Sequence, residues 1–364
     1  MLVVLVFILV GFLFLGFPMM IPLIGGSIFM IITYLNGVDP MIIIQQLIGG
    51  VSSFVLLAIP MFIFAADIMS TGQTANRLVD FVKSLIGHLH GGLAITTVGA
   101  CTIFGAISGS TQATVAAIGR PMRLKMLESG YDDSRTMGLI INASDIAVLI
   151  PPSSVMIMYG VVTGTSVGEL FIAGIGPGLL MALILSAICY VDAKRSNIPV
   201  EPKATLREIL ITTKKALLSF GFPLIVLVGI FSGIFSPTEA AAVSVLYSSI
   251  TEILIYKSIK ISDLPKIALS TGTVTAIVFI LVAAGAAFSW TISFARIPQL
   301  ITDSLLGSSP SPMKILIIVN IVFFIACMFV DSLVAISVIT PIFFPIALSV
   351  GIDPVFLGIV ITLQ

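Results

Sequence analysis

The sequence predicts an all-α, polytopic membrane protein with interrupted spans, and three observations carry that prediction. The 364 residues are 58% hydrophobic and only 9% charged, with a mean hydropathy of +1.21, too little charge to clothe a water-facing domain. Several apolar runs reach the roughly 20 residues that a helix needs to cross a bilayer. Those runs lack the period-2 alternation of barrel strands, so the backbone can satisfy itself in lipid only as helix.

The apolar stretches are 2–35, 47–69, 92–119, 137–163, 170–191, 216–235, 240–256, 268–291, 315–347 and 355 onward. The first begins without a basic n-region and is longer than a signal peptide, so it is read as retained in the membrane. Whether it crosses once or twice is left open. The longest polar link, 192–215, carries Lys194, Arg195, Lys203, Arg207, Lys214 and Lys215. The positive-inside rule puts it in the cytoplasm.

Working outward from that link, 164–168 has no basic residue and reads as periplasmic, whereas Arg120, Arg123, Lys125 and Arg135 read as cytoplasmic. The preceding link holds Arg77 and Lys83 and is cytoplasmic too. Two consecutive cytoplasmic links flank 92–119, which is therefore expected to enter and leave on one side as a re-entrant hairpin. Its Gly-Ala-Ile-Ser-Gly-Ser-Thr-Gln-Ala-Thr run at 105–114 suits a tight turn at membrane depth better than a lipid-facing helix. Forward of the link, 293–314 and 349–354 are poor in basic residues and read as periplasmic. That makes 315–347 a second hairpin opening on the opposite face, with Pro341 and Pro345 expected to break its second arm.

The two hairpins belong to a longer internal duplication. Ser-Leu-Ile-Gly at 84–87 resembles Ser-Leu-Leu-Gly at 304–307, and Ser108 aligns roughly with Asp331. Gly130, Asp132 and Gly138 match Gly351, Asp353 and Gly358, and Gly-Phe-Pro occurs at 16–18 and 221–223. Their common order, with opposite flanking charge, predicts inverted structural repeats. The first repeat is 1–191, the link 192–215, and the second 216–364. A counterpart of the Pro151-Pro152 break is expected beyond Gln364, and the chain is accordingly read as lacking its natural C-terminal portion.

Ionisable and polar groups inside such spans are the candidate functional residues. Asp145 lies between Asn142 and Pro151-Pro152-Ser153-Ser154; the prolines withhold N–H groups and leave carbonyl oxygens available to a hard cation such as sodium. The alternative is a kink satisfied by neighbouring hydroxyls. Ser108, Gly109 and Ser110 bring hydroxyls and close backbone approach to a hairpin tip, though a helix-packing motif of small residues looks similar. Asp331, followed by Ser332, is an ion ligand or the hydrogen-bonded glue of a turn. Arg296 has the fork that matches a carboxylate, or it is a helix-end arginine snorkelling to the interface. Glu239 reads as a helix N-terminal acid, and Asp67 and Glu252 are ambiguous. Cys101, Cys189 and Cys327 are scattered singly, and His88 and His90 sit in an interfacial stretch. No Ser-His-Asp set, phosphate loop or metal cluster is present in the sequence, so an enzyme, an ATP-driven pump and an organic cofactor have no support. The 17 basic and 17 acidic residues balance, which gives no sign of a nucleic-acid partner.

Taken together, Gly-Phe-Pro, Ile59-Pro60-Met61-Phe62, the 105–114 run, Pro151-Pro152-Ser153 and Ser236-Pro237-Thr238-Glu239-Ala240-Ala241 resemble the large membrane subunit of tripartite ATP-independent periplasmic (TRAP) transporters, over essentially the whole chain. The resemblance implies a multi-pass protein of the bacterial inner membrane with the fold of the elevator-type ion transporter superfamily. A transport domain holding both hairpins would slide against a fixed scaffold, coupled to sodium. It also implies a small four-helix membrane partner and a periplasmic substrate-binding protein. Carried over by position, sodium ligands come from Ser108, Gly109, Ser110, Asn142, Asp145, Pro151 and Ser153, and from Asp331 and Ser332 in the second hairpin. Substrate contacts fall on Arg296, Ser108, Ser154 and Asp331. The implied substrates are organic acid anions, sialic acid or C4-dicarboxylates among them, with overall similarity leaning towards sialic acid. An organic-anion channel or exchanger without sodium coupling is the competing reading.

Overall fold

The computed structural model describes residues 2–35, 37–196, 200–301 and 311–364. All regular structure among them is helical. Among the described residues, six helices are by length and composition long and apolar enough to cross a membrane: Phe54–Thr71, Val167–Arg195, Leu206–Phe231, Pro237–Ile255, Ile261–Phe294 and Ser332–Ser349. Other apolar helices are short, as interrupted spans require, among them Met20–Tyr34, Met41–Val51, Gly92–Ser108, Ser154–Thr163 and Pro312–Cys327. The stretch 2–35 resolves into two helices, Leu2–Phe14 and Met20–Tyr34. They are separated where Gly16 takes a positive φ of 77° ahead of Phe17-Pro18.

The chain forms two compact units, which partition it differently from the two sequence repeats. The first unit comprises 1–56, 155–166 and 273–364. Its core gathers Leu23, Met30, Phe288, Ile292, Val334 and Val338. Small residues let its helices approach closely: a Cβ on Gly50 would lie 2.3 Å from that of Ala286, and one on Gly285 2.8 Å from that of Ser337. The second unit comprises 57–154 and 167–272. Outward faces are apolar in both; Leu183 is 68% exposed and Phe324 61%, the pattern of a lipid-facing surface rather than of a water-facing one.

Both hairpins are present as helical pairs. In the second unit, Gly92–Ser108 reverses at Gly109 (φ +57°) and Ser110 into Thr111–Thr114, then runs through a π-helical turn, Val115–Gly119, into Arg120–Glu128. In the first unit, Pro312–Cys327 turns over 328–331 into Ser332–Ser349. The expectation that Pro341 and Pro345 break the second arm is wrong: both lie inside one continuous helix. A proline removes a single intrahelical bond, and in an apolar span neighbouring groups and small local adjustments absorb that loss.

The duplicated residues carry duplicated geometry. Gly130 and Gly351 both end a helix with positive φ, 88° and 81°. Two residues later Asp132 and Asp353 N-cap the next helix, accepting from Arg135 N–H at 3.1 Å and Phe356 N–H at 2.8 Å. In the last turn of these helices, the Asn142 side chain donates to the Gly138 carbonyl at 2.7 Å, and Thr362 to that of Gly358 at 2.8 Å. The Ser-Leu-Leu-Gly at 304–307 lies outside the described residues. Glu239 has the structural role expected of it, closing a capping box with Ser236 at the start of Pro237–Ser249.

Candidate functional site

The second unit assembles the first hairpin tip against the Pro151-Pro152 break. The tip is backbone packed on backbone. A Cβ on Gly109 would fall 1.9 Å from the Pro152 carbonyl oxygen, and one on Gly105 2.7 Å from Cα of Ala147. Only glycine meets both demands at 109, the left-handed φ and the lack of space. The docking is pinned by Ser154, whose N–H and hydroxyl both donate to the Gly109 carbonyl, at 3.4 and 3.2 Å.

Hydroxyls fill the tip. Ser108 Oγ lies 2.7 Å from Thr114 Oγ1 and donates to the Ser110 carbonyl at 3.3 Å. Thr114 Oγ1 donates to that same carbonyl at 2.9 Å. Ser110, extended at φ −144°, precedes the short helix Thr111–Thr114. Ser108 and Ser153 are buried.

On the other side of the tip, the helix Asp133–Asp145 loosens into a 3-10 turn, Ile146–Val148, before the two prolines. They are joined by a cis peptide bond. Neither prolyl nitrogen carries a hydrogen, so neither can donate to a carbonyl of the preceding turn. Asp145, at the last helical turn, lies beside the Thr111 side chain. Of the expected residues, Ser108, Gly109, Ser110, Asp145, Pro151, Ser153 and Ser154 thus lie in one neighbourhood of tip and break. The groups there are hydroxyl, carbonyl and carboxylate oxygens, the donor class of a hard cation.

Asn142 is placed differently. Its amide turns back on Gly138, and the residue is exposed. It lines a cavity of about 460 Å³ with Tyr131, Arg135, Thr136, Cys189 and Asp192. Arg135 and Asp192 are paired in that cavity at 3.2 Å.

In the first unit, Asp331 is the N-cap of Ser332–Ser349, its carboxylate accepting from Leu333 N–H at 3.0 Å. Ser332 is the first residue of that helix. Arg296 sits in the turn between Ile261–Phe294 and Ile297–Ile301, exposed, with a positive φ of 55°. A bulky residue rarely holds that conformation, and such strain is concentrated at functional positions.

Two participants escaped sequence reasoning. Thr111 and Thr114 lie in the 105–114 run, yet nothing in the sequence singled them out as partners of Asp145 and Ser108. The i, i+4 spacing of Ser110 and Thr114 was the available signal, because a threonine in a helix readily bonds back one turn. The ambiguous acids are now placed. Fully buried Glu252 accepts from Gln73 N–H and Thr74 N–H at 3.1 Å each, and from the hydroxyls of Thr74 and Ser258. It caps the helix Thr74–Ile86 from across the fold. Asp67 accepts from Thr271 Oγ1 at 2.6 Å.

Residues 6–364 match the family model described as "Tripartite ATP-independent periplasmic transporter, DctM component". The chain is 54% identical over 355 residues to the ectoine/5-hydroxyectoine TRAP transporter large permease protein UehC of Ruegeria pomeroyi, covering 97% of this chain and 82% of the relative. It is 53% identical over 357 residues to the ectoine TRAP transporter large permease protein TeaC of Halomonas elongata, covering 98% and 84%. Identity to the sialic acid TRAP transporter large permease protein SiaM of Vibrio cholerae is 35% over 355 residues, covering 97% and 83%. Among solved structures, the Alcanivorax borkumensis YdaH transporter, described as having an unusual topology, superposes with a TM-score of 0.58 at 12% identity, covering 90% of this chain and 77% of that one. That likeness concerns the fold alone. The chain belongs to the DctM component of the tripartite ATP-independent periplasmic transporters, and is a multi-pass large permease of the bacterial inner membrane rather than an enzyme.

Proposed function

We propose that this permease takes up ectoine or 5-hydroxyectoine into the cell, coupled to a sodium gradient. The substrate reading rests on the 54% and 53% identity to two ectoine permeases against 35% to a sialic acid permease. It replaces the sialic acid or C4-dicarboxylate substrate that overall resemblance favoured. Ectoine remains an organic acid, a carboxylate on a cyclic amidinium ring, so the carboxylate-matching fork of Arg296 keeps its proposed role.

The single observation that carries sodium coupling is the tip-and-break neighbourhood, where Gly109 is docked on Pro152 beside Asp145 and a cluster of hydroxyls. In this reading Ser108, Gly109, Ser110, Asp145, Pro151 and Ser153 contribute oxygens to the ion, with Asn142 one turn away on the same helix. Ser108 and Ser154 are the proposed substrate-facing hydroxyls of the same unit. Asp331 and Ser332 are the proposed second ion group, by analogy of the repeats. An elevator movement, a small membrane partner and a periplasmic binding protein complete the proposal. They rest on family membership.

The test is uptake of labelled ectoine by proteoliposomes holding the permease with its small membrane partner, supplied with the cognate binding protein. Accumulation is expected only with an inward sodium gradient. Equal accumulation in potassium overturns the coupling, and sodium-driven uptake of sialic acid in place of ectoine overturns the substrate.

A further inference from the structure

We infer that the helix Leu206–Ala216 is a membrane-surface anchor that binds the anionic headgroups of the cytoplasmic leaflet. The helix is well defined at its start, where Thr205 and Glu208 form a reciprocal capping box. It also has three distinct faces. One face is protein. Thr212 Oγ1 lies 2.8 Å from Ser84 Oγ on the helix Thr74–Ile86, Ala216 is fully buried, and Phe220 meets Phe81 edge-on at 5.2 Å. Its end is tied down by the Lys215 carbonyl, which accepts from Arg77 Nη1 at 3.1 Å and from the Tyr256 hydroxyl at 3.2 Å.

The second face is apolar and uncovered. At about 3.6 residues per turn, Leu206 and Leu210 fall on one stripe, and they are 81% and 69% exposed; Leu217, just past the helix end, is 64% exposed. Beside the stripe run Arg207 and Lys214, and among the described residues neither forms an ion pair. Protein on one side, leucines next to it and cations beyond them is the order of an interfacial helix. The leucines reach the acyl boundary while the cations stay at the level of lipid phosphates.

Charge settles how this helix meets the bilayer. Arg207, Glu208, Lys214 and Lys215 are four charges among its eleven residues, too many for the hydrocarbon core. The basic link that contains it is cytoplasmic by the positive-inside rule, and anionic lipid attracts juxtamembrane cations.

The test places a bimane fluorophore at Leu210→Cys in the permease reconstituted with its small membrane partner; Cys101 and Cys189 are buried, and labelled wild type gives the background. Vesicles are phosphatidylcholine containing an equal, small fraction of headgroup-labelled nitroxide lipid, either phosphatidylglycerol or phosphatidylcholine. Quenching by the phosphatidylglycerol probe is expected to exceed that by the phosphatidylcholine probe several-fold. The double variant Arg207→Gln/Lys214→Gln is expected to equalise the two while quenching persists. Equal quenching by both probes in the unsubstituted background removes the anionic preference. No quenching by either overturns the proposal, because the stripe is then covered by the membrane partner or faces water.

Discussion

The two hairpins follow one sequence plan and close their tips with different chemistry. The first turns on Gly109, held at φ +57°, with Ser110 extended after it. The second turns without a glycine, through Met328, Phe329 and Val330, and begins its return helix on the Asp331 cap. With the offset of 221 residues that relates Gly130 to Gly351, Ser110 rather than Ser108 is the counterpart of Asp331. Both are N-terminal residues of a return helix. A glycine-closed tip lets a second backbone come within contact distance, as the Pro152 carbonyl does at Gly109. An aspartate-capped tip satisfies its own amide through Leu333 N–H and leaves Met328 and Phe329 exposed at 68% and 59%. The difference is between a tip closed by a glycine with a second backbone seated on it and a tip closed by an aspartate cap.

The sharpest way to break that comparison is Gly109→Ala. The new methyl would sit 1.9 Å from the Pro152 oxygen in a left-handed backbone. The expected loss is about 2–5 kcal/mol, combining roughly 1–2 for the left-handed conformation with roughly 1–3 for overpacking. It is read as a lowered melting temperature in detergent and loss of uptake. A variant that melts and transports normally would show that the tip is not docked as described.

Asp331 gives the next largest effect, and a pair of substitutions separates cap from ligand. Asp331→Ala is expected to cost about 0.5–2 kcal/mol of stability, whereas Asp331→Asn keeps the cap and most of that stability. If Asp331 also serves an ion, Asp331→Asn raises the half-saturating sodium concentration for uptake while the melting temperature holds. Unchanged sodium dependence in Asp331→Asn reduces the residue to a cap. Ser154→Ala is the mildest of these changes. It removes one hydroxyl bond to the Gly109 carbonyl while the N–H bond remains, for about 1 kcal/mol, measured by the same melting assay.

The sequence made the hairpins and the proline break legible because their signals are local. Small residues and hydroxyls in 105–114 argue against a lipid-facing helix, and Pro151-Pro152 cannot continue one. Asp132 and Asp353 were equally visible as matching residues of a repeat, while their role as caps came from the structure. What stayed hidden depends on tertiary contact. Nothing local reveals that Gly109 meets Pro152, that Thr111 reaches Asp145, or that Glu252 caps a helix starting at Thr74. Pro341 and Pro345 misled for the complementary reason: a proline's local rule was applied where the surrounding helical packing overrides it. Asn142 lies in the same helix as Asp145, and the donation of its side-chain nitrogen to the Gly138 carbonyl is a one-turn contact that residue spacing alone did not single out.

Among the described residues, Asp145 is the carboxylate beside the docked tip, and the proposed coupling ion turns on it. The decisive measurement is the sodium dependence of ectoine uptake in proteoliposomes containing wild type or Asp145→Asn. We expect the half-saturating sodium concentration to rise on the order of tenfold or more, the loss of about 1.4 kcal/mol of ion binding, with the protein still folded by its melting profile. An Asp145→Asn protein that folds and transports ectoine with unaltered sodium dependence would contradict the assignment of the coupling ion to the tip and break.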